Sequence, residues 1–141
     1  MRMLIGGLLL APTLLLGGCK GGRKTGVNVP MYPGAMFTKT GSKPIGDCSS
    51  VFFQFYSTNQ DGRIVGKWYT EQLEKDPDKW VMPGALPTPE DGMAIFRTEN
   101  MTPGIDPRPV DCKKPGRTVV VSSNKGGGEL WLFENVPTVK K

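Results

Sequence analysis

"SSVFFQFYS", residues 49–57, decides how this chain is built. Val51, Phe53 and Phe55 point one way and Phe52, Gln54 and Tyr56 the other, the two-residue period of a β-strand. Both rows are largely apolar, so the expected strand is central and covered on both faces. Directly after it comes "STNQDGRIVGKWYTEQLEKD", residues 57–76. Here Ile64, Val65, Trp68, Tyr69 and Leu73 recur at helical spacing, with Ser57 or Thr58 as a cap and Asp61 in the first turn. The pattern predicts a helix over about 61–75, stopped by Asp76-Pro77. Gly62 and Gly66 lower its intrinsic propensity, so packing of the apolar face has to hold it.

Four more strands are expected downstream, in "KWVM" (79–82), "GMAIFRT" (92–98), "RTVVVSS" (117–123) and "ELWLFEN" (129–135). The last two flank "NKGGG" (124–128), a hairpin connection, and residues 100–117 form a Pro-rich loop. Upstream, "VNVPMYPGAM" (27–36) begins with alternation and then turns at Pro33-Gly34. Strand, strand, helix and then a run of strands predicts an α+β domain. It would hold an antiparallel sheet of about five to six strands, one packed helix and one disulfide.

The first residues are of a different kind. After Met1-Arg2-Met3 the chain runs "LIGGLLLAPTLLL" (4–16) without a charge. One early positive charge and about a dozen apolar residues are the pattern of a secretory signal peptide. The run is short of the roughly 20 apolar residues that span a bilayer. Leu16-Gly17-Gly18-Cys19 resembles the lipobox of bacterial lipoproteins. That resemblance implies cleavage before Cys19 and acylation of Cys19, so that membrane lipid is the first partner. Several acyl chains hold a protein firmly where one binds marginally. The resulting division is a cleaved signal peptide at 1–18, a flexible tether at 19–26 and one globular envelope domain at 27–141. The tether, "CKGGRKTG", reaches about 16 Å as a flexible coil.

With the signal removed, 17 basic residues face 13 acidic ones, about +4, and nothing concentrates that charge as nucleic-acid binding requires. Cys48 and Cys112 remain as an even pair in an exported chain and are the expected disulfide. The loop they close, about 65 residues, is worth roughly 4 kcal/mol on chain entropy. Each cysteine follows a basic residue, Pro, a β-branched residue and Asp: "KPIGDC" (43–48) and "RPVDC" (108–112). Asp47 and Asp111 together supply too few oxygens to hold calcium unaided.

The chain has no histidine, which removes Ser-His-Asp and Cys-His catalysis and imidazole metal ligands. Glu71 with Glu74, and Glu90 with Asp91, are carboxylate pairs of the kind glycoside hydrolysis needs. The first lies on an exposed helix face and the second in a turn, so solvated charge accounts for both. "GSK" (41–43) and "NKGGGE" (124–129) lack the spacing of a phosphate loop. Trp68, Trp80 and Trp131 each sit in an apolar periodic segment, which predicts core packing over a ligand groove. No catalytic residue, cofactor or metal ligand is expected.

"VPMYPGAM" followed by a helix carrying "KWYTEQL" and then "KW" resembles small bacterial envelope domains of unknown function, which implies a fold and not an activity. The expectation is therefore a non-enzymatic lipoprotein on the periplasmic side of the outer membrane, or alternatively on another bacterial membrane surface, a structural or assembly component with an envelope protein as partner. The alternative is a binding or inhibitory module that recognises a saccharide, peptide or enzyme through its loops.

Overall fold

The computed structural model describes residues 27–45, 48–88, 92–124 and 126–137. Within them the chain forms, in order, β1 (Met36–Ile45), β2 (Cys48–Thr58), α1 (Gly62–Leu73), β3 (Trp80–Val81), β4 (Met93–Thr98), β5 (Gly116–Asn124) and β6 (Gly127–Asn135). The strands make one sheet in the order β1-β2-β6-β5-β4-β3, every neighbouring pair antiparallel. After β2 the chain crosses by α1 to the far edge and meanders back, so that β6 returns beside β2. The expected α+β class, antiparallel sheet and packed helix are all present.

Pleating sorts the side chains into two faces. On the helix side, Val65, Tyr69 and Leu73, four residues apart, are each no more than 1% exposed. They pack on Phe96, Val119, Val121, Leu130 and Leu132 of the central strands, with Trp80 at the border. Trp68 is half-buried and meets Tyr32 and Tyr69 edge-on, at ring-centre distances of 5.4 and 4.8 Å. Ile64 points into solvent and does not belong to the stripe.

The cap of α1 is Asp61, whose carboxylate accepts from the Arg63 amide at 2.7 Å. Thr58 ends β2 instead, and its hydroxyl accepts from the Gln60 amide at 3.1 Å. Gly62 earns its place by proximity: a Cβ there would meet the Ser122 carbonyl and the Ser123 hydroxyl. A glycine costs helix propensity but lets the helix start lie directly on β5.

Residues 27–35 are not a strand. They run across the helix side as an irregular segment fastened by long-range bonds. Gln54 Oε1 accepts from the Val27 amide at 3.1 Å, and Glu134 Oε1 from the Asn28 amide at 3.3 Å. Tyr69 donates its hydroxyl to the Pro30 carbonyl at 2.8 Å and accepts from the Tyr32 amide at 3.3 Å. Arg117 reaches the Asn28 carbonyl, pairs with Asp78 and lies 5.1 Å from the centre of the Trp80 ring. The first strand begins nine residues later than the alternation at Val27 suggested, at Met36, and contains the "GSK" segment.

Among the described residues the opposite face of the sheet carries no helix. β2 is interior, as expected, yet only its Phe52 and Tyr56 side joins the main core. The other side, with Phe53 and Phe55, faces a region covered in part by the loop 99–115. A second, smaller cluster of Val51, Val120 and Phe133 lies there.

Candidate functional site

Register places the residues of this uncovered face in rows across the strands. Lys39, Phe55, Trp131, Val120 and Ile95 form one row, each opposite the next in β1, β2, β6, β5 and β4. Gly41, Phe53, Phe133, Thr118 and Arg97 form its neighbour. The result is a band of four aromatic rings. Phe55 stacks on Trp131 at 4.2 Å and 27°, and Trp131 and Phe133 lie within 10° of parallel. Phe53 tilts against both.

Above this band lies a pocket of about 390 Å³. Phe53, Trp131, Phe133 and Val120 make its floor, and Met93 and Ile105 add apolar surface from β4 and the loop. Lys39, Lys43, Ser122 and Glu129 supply its polar groups. Trp131 is half-buried, while Met93 and Ile105 are 42% and 63% exposed. The size is at the small end of the range for small-molecule sites, and a largely apolar wall with a few polar groups is their usual make-up.

The pocket's charges are arranged unequally. Lys43 pairs with Asp106, a contact that joins β1 to the loop and holds Asp106 below the usual carboxylate range. Lys39 holds its amine over the Trp131 ring, 5.6 Å from the centre. Among the described residues it has no carboxylate partner. Glu129 lies toward the β5–β6 hairpin and accepts from Asn124 Nδ2 at 3.3 Å.

The loop itself is held by Asn100, whose amide donates to the carbonyls of Asp111 at 3.0 Å and Lys114 at 2.8 Å. Arg97 Nη1 donates to the Met101 carbonyl at 2.9 Å. Met101 is fully buried under the loop.

The residues singled out by sequence fall differently. Trp80 is core, Trp68 is a half-buried brace, and Trp131 lines the pocket, against the expectation that all three pack the core. Glu71 and Glu74 are exposed, consistent with solvated charge. Asp111 makes a local turn, accepting from the Lys113 amide at 2.9 Å. Among the described residues no group of three metal-binding side chains is gathered, and no helix is long and apolar enough to cross a membrane. Cys19, Asp47, Glu90 and Asp91 and the Cys48 side chain lie outside the described residues. Sequence reasoning missed Lys39, Phe53 and Phe133 as a group. The signal was present in the apolar outer rows of "VFFQFYS" and "ELWLFEN".

Comparison with protein-family models, with curated proteins and with solved structures finds no match for this chain.

Proposed function

We propose that the protein is a non-enzymatic lipoprotein, anchored through acylated Cys19 on the periplasmic side of the outer membrane, whose domain binds a small ligand with an apolar body. The observation that carries the binding role is the aromatic-floored pocket on the face opposite α1. An uncovered sheet face with half-buried rings is expensive to leave against water unless something uses it. A saccharide fits less well, because one side of Trp131 is stacked on Phe55 and Lys39 lies over the ring. Little free ring face is left for a sugar. An assembly role with an envelope protein partner is the second reading, favoured by the exposed Met93 and Ile105 beside the pocket.

The neutral dye N-phenyl-1-naphthylamine tests the pocket directly. It should brighten with the full chain and lose that response in Ser122→Phe, which fills the pocket from its rim. Dye binding that Ser122→Phe leaves intact would remove the pocket from the account. The anchor is tested separately: Cys19→Ser should abolish palmitate labelling and leave an unprocessed precursor.

We infer further that Cys48 and Cys112 form the disulfide. Asn135 Nδ2 donates to the Cys112 carbonyl at 3.5 Å, and Asn135 sits opposite Val51, three residues beyond Cys48 on β2. Both cysteines therefore belong to the same end of the sheet.

A further inference from the structure

We propose that the pocket's ligand is a single-chain carboxylate, an anion with an apolar body, and that Lys39 receives its charge. The inference rests on the pocket reading and adds the chemistry of the head group.

Three observations converge on it. The first is the division of charge within the pocket. Lys39 and Lys43 both stand on β1, at one side of the aromatic band, while Glu129 stands at the hairpin end and is engaged with Asn124. An anionic head is attracted to the β1 side, and its body then runs over Phe53, Phe133 and Val120 toward Met93 and Ile105.

The second is the difference between the two lysines. Lys43 is tied to Asp106, so its amine serves to fix the loop that brings Ile105 to the pocket. Lys39 has no such acid among the described residues. Its amine is held above an apolar floor by the Trp131 ring, an attraction of the cation–π kind. Lys39 is exposed, so its amine is open to a carboxylate at the rim, which would add a charge-assisted contact.

The third is size. A volume of about 390 Å³ accommodates one short chain or one substituted ring. A two-chain lipid is too large, so the ligand is a free monomeric acid and not the head of a membrane lipid.

Displacement of N-phenyl-1-naphthylamine from the full chain carrying Cys19→Ser separates the possibilities. The competitors are decanoate, decanol, decyltrimethylammonium and monomeric dihexanoylphosphatidylglycerol. Decanoate should displace the dye at the lowest concentration. Lys39→Gln should raise that concentration roughly fivefold, the effect of a partly exposed ion pair, and leave decanol unchanged. Lys39→Arg should restore the preference. Comparison between variants cancels any uptake by residues 4–16. Equal potency of decanoate and decanol, or indifference to Lys39→Gln, would overturn the assignment while leaving the pocket intact. Stronger displacement by decyltrimethylammonium would move the head group to Glu129, and stronger displacement by the two-chain lipid would make the site a lipid site. Absence of dye binding would overturn both the assignment and the pocket.

Discussion

Glu134 shows how one side chain makes this fold sensitive to pH. Burial raises its carboxyl above the usual carboxylate range, opposed by the bond from the Asn28 amide and by the nearby charge of Arg117. Below that range the group is protonated in folded and unfolded chains alike. As pH rises, the unfolded chain loses the proton first, so the folded state loses stability until its own carboxyl ionises. Glu134→Gln keeps an acceptor for Asn28 and should remove this dependence. Melting temperatures of the two proteins should therefore diverge in favour of the variant as pH rises from the usual carboxylate range. Parallel curves would show that Glu134 does not govern the trend. Asp106 acts with the opposite sign, losing its contribution as pH falls, but it is exposed and common to both proteins. Tyr69 is a second case. Its buried hydroxyl serves the Pro30 carbonyl and the Tyr32 amide together. Tyr69→Phe leaves both without that partner and should cost about 1–3 kcal/mol in urea unfolding.

At the scale of elements, legibility followed burial. α1 was readable because Val65, Tyr69 and Leu73 share one deeply buried stripe. Ile64 was misassigned because spacing alone cannot say where a stripe ends. β1 was not readable at all: residues 36–40 are all exposed, so no buried row imposes a hydrophobic period. Trp68 belongs to the stripe's margin. Trp68→Ala should cost about 2–3 kcal/mol, less than the 3–5 kcal/mol of a fully buried aromatic, and leave dye binding on the opposite face unchanged. Unchanged melting would show that its edge contacts with Tyr32 and Tyr69 contribute little. In the β5–β6 hairpin, Gly127 has φ +141°, and a Cβ there would meet the Thr58 carbonyl and the Asn59 backbone. Gly127→Ala should therefore destabilise by more than about 1 kcal/mol, through strain and steric overlap together.

At the scale of the molecule, α1 is the one helix among the described residues, and its 12 residues cannot cover both faces of a six-stranded sheet. That mismatch is why the candidate site escaped the sequence. "VFFQFYS" and "ELWLFEN" announce two apolar rows each, but only the three-dimensional arrangement says that α1 and residues 27–35 take one side. The proposed Cys48–Cys112 bridge would close the end of the uncovered face. Cys112→Ser should cost about 2–5 kcal/mol, and thiol labelling of both residues in unreduced wild-type protein would refute the bridge. The fastening of residues 27–35 has a mechanical side as well. A pull on the chain upstream of Val27 enters the fold through Gln54, Glu134 and Arg117, on β2, β6 and β5. These are interior strands, so tension is delivered to the middle of the sheet, where no edge is available to unzip. Stretched from that end, the domain should resist as a block and give way abruptly, with the pocket turned away from the line of force throughout.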